Sequence, residues 1–185
     1  MNSITMAAMA AAALATSSLA QAQPAPPAPA PGAQIPANRP PGPPPPPARG
    51  PDAALALEAA QTAIEACAAN GYKVTAVVVN SSGSPRVMLA ADGAPEMTAQ
   101  IGLRKAYTAL TFKKPSGQVG DDAKTDQALA ARIAADQKLI TWAGGQPLTV
   151  GSDVIGAIGV SGAPGGDKDD ACTSAAIAKV KDRLK

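Results

Sequence analysis

The chain has 185 residues, a formal net charge of +2, and Lys and Arg scattered along its length. Near-neutral, dispersed charge supplies neither the basic stripe that nucleic acid needs nor a basic membrane face. Aromatics make up 2% of the sequence and histidine is absent, which leaves few stacking platforms and removes the commonest general base and metal ligand.

Residues 1–22 predict a secretory signal peptide: an apolar run over 6–19, then Ala20-Gln21-Ala22 as a small-x-small cleavage site. No Lys or Arg precedes the run, and a soluble Ala-rich helical extension is the alternative. The run is too short to span a bilayer, and no cysteine follows it to carry a lipid. The expectation is a periplasmic or secreted protein without stable membrane insertion. Residues 23–51 are dominated by Pro and Ala, with an unbroken run from Pro43 to Pro47. Such a segment has few amide donors and little apolar mass, so it predicts an extended or disordered linker rather than a ligand for a proline-recognition module.

The folded domain is expected over 52–185. Asp52 caps a helix that ends at Asn70-Gly71, with Leu57, Ala60, Ile64, Cys67 and Ala68 facing inward. Residues 73–80 form a strand that is apolar on both faces and therefore central. Ser81 to Ser84 turn the chain into a hairpin partner over 86–91. Asp92-Gly93-Ala94-Pro95 opens a second helix, with Met97, Ile101, Tyr107 and Leu110 inward, and Pro115 stops it. Residues 117–124 read as a polar loop, 125–136 as a helix, and 139–143 as a short strand. Gly144-Gly145 predicts a hairpin turn, 146–150 a strand, Gly151-Ser152-Asp153 a turn and 154–161 a further strand.

One face of that last strand, Ile155, Ala157, Gly159 and Ser161, shrinks to small residues, so a helix backbone or a ligand must pack close there. A glycine loop over 162–166 leads into a final helix from Asp167 to about residue 184. Its inward set is Ala171, Ala175, Ile177 or Ala178, and Val180. Hairpin connections between strands give an α+β layered domain, with helices packed on one antiparallel sheet of about five strands.

The glycine loop invites a phosphate-binding reading, but its spacing is not G-x-G-x-x-G, and Asp167, Asp169 and Asp170 occupy the positive end of the helix behind it. Helix capping explains those aspartates better, and their order lacks the alternation of a calcium loop. No metal ligand set is assigned. Lys105 either covers the core edge with its stem or holds a carboxylate in a cleft. Cys67 and Cys172 are far apart and form no Cys-x-x-Cys motif; they make either a disulfide in an oxidising compartment or two buried thiols.

The stretches GGQPLTVGSDVIGAIGVSGAPGGDKDDACTSAA, LRKAYTALTFKKPS and VTAVVVNSSGSPRVMLAADGAP resemble the GlcG/HbpS family of haem-binding or haem-degrading-like proteins. The resemblance covers essentially all of 52–185. It implies a profilin-like layered fold, assembly into dimers or larger homo-oligomers and, for exported members, haem binding. Motif position implies a ligand region containing Lys105, Tyr107, Thr108, Gly159, Ser161, Gly162 and Asp169. The chain departs from relatives that place histidine near haem, which leaves Tyr, Thr, Met, Lys or Cys as iron ligands and implies weak haem binding. The resulting expectation is an exported small-molecule-binding protein acting in haem or iron handling without established catalysis. The alternative is an enzyme or accessory subunit acting on a small carboxylate metabolite, with Lys105 as anion clamp and the Ser161 amide as donor.

Overall fold

The computed structural model describes residues 47–185. The expected signal peptide at 1–22 and most of the expected linker lie outside the described residues.

Asp52 accepts a hydrogen bond from the Leu55 amide (2.8 Å) and so starts helix α1, Ala53–Ala68. Strands β1 (Thr75–Asn80) and β2 (Pro85–Ala90) form a hairpin. Its turn is held by the Asn80 side chain, which accepts from the amides of Ser82 and Ser84 at 3.0 Å each. Helices α2 (Met97–Phe112), α3 (Ser116–Ala123) and α4 (Gln127–Ala135) follow. Strands β3 (Gly145–Val150) and β4 (Asp153–Ser161) then lead to α5 (Gly166–Val180).

The four strands form one antiparallel sheet in the order β2-β1-β4-β3. Every residue of β1 is buried, as a strand covered on both faces requires. Its Ala76 and Val78, with Ile158 and Val160 of β4, face α1 and α5 across a core that also holds Ala56, Ala60 and Ala176. Its Val77 and Val79, with Ala157, face Ala106 and Ala109 of α2 on the opposite side. Helices therefore cover both sides of the sheet. Ile155 is an extra residue in β4 where the register with β3 shifts, and this bulge turns it into the α1/α5 core.

The small face of β4 is explained by a helix backbone. Gly102 of α2 lies directly over Gly159, and a Cβ on Gly159 would collide with the Gly102 carbonyl and the Ala106 amide. A glycine in mid-helix costs roughly 0.5–1 kcal/mol relative to alanine; here it permits the close contact between α2 and the sheet.

Several expectations require correction. The sheet has four strands rather than about five. Residues 139–143 are not a strand, because their backbone bonds side chains of neighbouring helices instead of a ladder. The Ile140 amide donates to Thr108 Oγ1 (2.9 Å), and the Leu139 and Trp142 carbonyls accept from Arg104 and Ser116 (2.7 Å each). Residues 117–124 were expected as a loop but supply most of α3. Its two glycines let the helix pack against 139–143, since a Cβ on Gly117 would lie 2.8 Å from Ala143 Cβ and one on Gly120 2.9 Å from the Thr141 carbonyl. Val119 is fully buried beneath it.

The inward faces of three helices are also shifted. The buried set on α2 is Thr98, Gly102, Lys105, Ala106, Thr108 and Ala109, while Met97 is exposed. On α1, Ala60, Ile64 and Cys67 face the core as expected, but Leu57 and Ala68 are exposed and Leu55 and Ala56 are buried; on α5, Ile177 and Val180 face the core, but Ala171 and Ala175 are exposed while Cys172, Thr173 and Ala176 are buried. The final helix stops at Val180 and continues only as a short 3-10 turn, Lys181–Arg183. At the other end the fold begins before Asp52: the Arg49 carbonyl accepts from the Ser81 amide (2.8 Å) and Pro51 is buried.

Cys67 of α1 and Cys172 of α5 are joined as a disulfide, with Cα atoms 5.5 Å apart and a sequence separation of 105. In the chain-entropy model a loop of that length stabilises the folded state by about 4.7 kcal/mol.

Two predictions follow from this packing. Gly159→Ala is expected to cost about 3 kcal/mol through the forced displacement of α2, seen as a lower urea midpoint at unchanged m-value; wild-type stability would mean that α2 yields freely. Cys67→Ala/Cys172→Ala is expected to lose about 3–5 kcal/mol in the same assay while keeping the native far-ultraviolet spectrum.

Candidate functional site

Helix α2 carries the chemistry on two of its faces. At its middle, the Lys105 side chain runs inward rather than outward: the residue is 1% exposed. Its ammonium donates to Asp169 Oδ2 (2.6 Å) and to the Val160 carbonyl (3.0 Å). Asp169 is 3% exposed, and its second oxygen accepts from the Ala163 amide (2.9 Å). Burial raises the Asp169 carboxyl above the usual carboxylate range, and the Lys105 ammonium and Ala163 amide oppose that rise. Gly144 is obligatory beside this pair: it has φ +115°, and a Cβ there would lie 2.7 Å from Asp169 Cβ and 3.0 Å from Lys105 Nζ. Its carbonyl accepts from the Val160 amide (2.8 Å) and lies 2.9 Å from Thr173 Oγ1.

This geometry corrects both readings of Lys105. The lysine does not cover the core edge with its head in water, and the carboxylate it holds belongs to the chain itself. Asp169 likewise does not cap its own helix. The first residue before α5 is Gly165, with no side-chain cap, and Asp169 reaches back to the loop amide of Ala163.

Two grooves open beside α2. The first, of about 370 Å³, has Lys105, Ser161 and Asp169 at its floor, Gly162 and Gly166 in one wall, and the exposed Trp142 and Met97 at its rim. The second, of about 440 Å³, is bounded by Leu103, Arg104, Tyr107, Lys138, Gln100 and Gly83. Their charges differ. The single cation of the first is neutralised by Asp169, and Asp167 adds a further nearby carboxylate. The second has two cations and no carboxylate among its lining residues.

The seven residues expected at a ligand region are thus divided. Lys105, Ser161, Gly162 and Asp169 meet at the first groove, and Tyr107 lines the second. Thr108 is fully buried, donating to the Arg104 carbonyl and accepting from the Ile140 amide. Gly159 lies under α2. Arg104, Lys138 and Trp142 were missed; Arg104 adjoins Lys105 in sequence, whereas Lys138 and Trp142 carried no motif. Among the described residues, no cluster of three or more His, Cys, Asp or Glu side chains could hold a metal ion, and no helix is long and apolar enough to cross a membrane.

Residues 52–178 match the family model described as haem degrading protein HbpS-like. The chain belongs to the HbpS-like family. A protein of Citrobacter freundii described as an uncharacterized 15.0 kDa protein in the dhaT-dhaS intergenic region is 30% identical over 115 residues, 60% of this chain and 81% of that protein. The crystal structure of a double mutant of Streptomyces reticuli HbpS aligns with TM-score 0.65 and 30% identity, covering 76% of this chain and 99% of that one. The crystal structure of a PduOC–haem complex, at 24% identity and TM-score 0.63 over 68% of this chain and 91% of that one, shares the fold. The α+β fold expected from the family resemblance is the one observed.

Breaking the buried pair is expected to be expensive and pH-dependent. Lys105→Met strands Asp169 without its cation, a loss of about 3–5 kcal/mol at neutral pH. Losing the ammonium raises the Asp169 carboxyl further, so the folded variant binds a proton more tightly than the unfolded one. Its deficit should therefore shrink at about pH 5 and grow at about pH 8. Lys105→Met/Asp169→Leu should lose less than either single variant. Urea titrations at both pH values check this; equal deficits throughout would show that the pair is not a closed electrostatic unit.

Proposed function

We propose that this chain is an exported haem-binding protein acting in haem or iron handling, and that the Tyr107 groove seats the haem. The observation that carries the reading is the pairing of an apolar wall with two cations in one groove free of carboxylates. Haem is a flat apolar ring with two carboxylate arms. Leu103 and the Tyr107 ring suit the ring face, and Arg104 and Lys138 suit the carboxylates. The groove of Lys105 suits it less, because Asp167 and Asp169 oppose negative arms. The family description and the haem complex of a protein with the same fold support the reading. A shallow groove with few aromatics implies modest affinity.

Export is supported by the signal-like residues 1–22 and by the Cys67–Cys172 bond, since disulfides persist in oxidising compartments. Homo-oligomer formation is supported by the exposed Trp142 and Met97 at one rim and by the edge strands β2 and β3. The alternative, an enzyme or accessory subunit with Lys105 as clamp for a small carboxylate, is disfavoured because Asp169 already occupies that ammonium.

Haemin titrated into the purified chain is expected to give a saturable shift of the Soret band. Arg104→Gln/Lys138→Gln should weaken it about tenfold or more, as loss of charged hydrogen bonds implies. A flat difference spectrum with the wild-type chain overturns the haem reading; an unchanged affinity in the double variant removes the haem from this groove.

A further inference from the structure

We propose that Asp169 is an acid-released latch on the loop at 162–165: as a carboxylate it ties that loop to helix α2, and as a neutral acid it lets both go. The latch belongs to the first groove and does not depend on the haem reading.

The loop has one tie at its middle. Its Gly162 end is fixed by close packing on the Lys73 carbonyl and Val74, and its other end runs into α5. Gly162 and Gly165 have φ of +131° and +133°, on either side of Ala163 and Pro164, so both flanks use backbone that other residues rarely adopt. Pro164 has no amide to donate. The Gly165 amide turns back on the Ala163 carbonyl (2.8 Å), inside the loop. The Ala163 amide alone reaches a side chain, Asp169 Oδ1 (2.9 Å), and the other oxygen of that carboxylate accepts from Lys105 Nζ (2.6 Å). One buried group therefore joins the loop to α2.

Protonation puts one hydrogen on one carboxyl oxygen and breaks no covalent bond. It removes the charge that compensates the buried ammonium, leaving Lys105 with the Val160 carbonyl (3.0 Å), and turns the acceptor of the Ala163 amide from charged to neutral. The ammonium then needs water, and water has a route. Lys105 and Asp169 form the floor of the first groove, and Gly162, Ala163 and Gly165 stand in its wall. The charged groups facing the carboxyl are Lys105 from α2, which opposes protonation, and Asp167 from α5, which favours it; burial favours it most. Gly144 and Thr173 beside it carry no charge. The folded chain holds this proton more tightly than the unfolded chain, so its uptake does not by itself drive unfolding. Acid thus opens one wall of the groove within an intact fold.

Hydrogen exchange of single amides, measured by nuclear magnetic resonance on the purified chain and taken relative to the unfolded-chain rate at each pH, tests the latch. Between about pH 7 and about pH 4 a carboxyl raised above the ordinary aspartate range takes up its proton. Over that interval protection at Ala163 is expected to fall about tenfold or more, as loss of a charged hydrogen bond implies, while protection along β1 persists. In Lys105→Met/Asp169→Leu, Ala163 should be weakly protected at both pH values. If that variant does not fold, the carbon-13 shift of the Asp169 carboxyl is followed in the wild type, and its midpoint should coincide with that of the Ala163 loss. Unchanged protection at Ala163, loss in step with β1, or midpoints that disagree overturn the latch. So does a double variant that keeps the acid-dependent loss.

Discussion

The ion pair between Lys105 and Asp169 ties together the helices that cover the two sides of the sheet. Lys105 comes from the helix on one side of the sheet and Asp169 from a helix on the other; they meet past the end of β4. The meeting requires a glycine at 144, where any side chain would occupy the space of both groups, and a backbone carbonyl from Val160 to take a second ammonium proton. A buried pair of this kind adds little net stability over an apolar pair of equal volume. Its effect is on specificity: with one charge on each layer, a sliding of α2 along the sheet would strand both.

The same pair sets the character of the two grooves. Had Asp169 pointed to solvent, Lys105 would have offered an open cation in a Trp-flanked cleft, the arrangement suited to a small carboxylate. With those charges cancelled, the other groove beside α2 is the one that offers cations, Arg104 and Lys138, with no carboxylate among its lining residues. Neighbouring residues in one helical turn thus serve opposite ends: Lys105 turns inward to close the fold, and Arg104 turns to the 139–143 segment and the second groove.

Much of the fold was legible where sequence and local physics agree. The Asp52 cap, the doubly apolar β1, the Asn80 to Ser84 hairpin and the small face of β4 were all readable from residue type. The misplaced helix faces share one cause. Layers here sit close enough that Gly102, Ala106, Ala109 and Gly159 form the contact, so the largest apolar residues do not mark the interior. Periodicity built on large residues counted Met97 on α2 and Leu57 on α1 as inward, and both are exposed, whereas Leu110 on α2 and Ile64 on α1 do pack against the core. Helix α3 was hidden because its glycines lower local propensity, and only their contacts with Thr141 and Ala143 give them a reason. The Lys105–Asp169 pairing was beyond sequence reading because the partners lie 64 residues apart and the acidic helix start accounted for Asp169 locally. Lys138 entered the second groove unannounced for a similar reason: its place depends on how the 139–143 segment docks.

The disulfide between α1 and α5 encloses both grooves, the whole sheet and the three middle helices within one covalent ring. A peptide bond cut in any loop between Cys67 and Cys172 would open that ring without dividing the molecule. The pieces would remain one particle, with their packed layers held in register. The bond turns a single cut from the loss of the domain into a change of its chain connectivity.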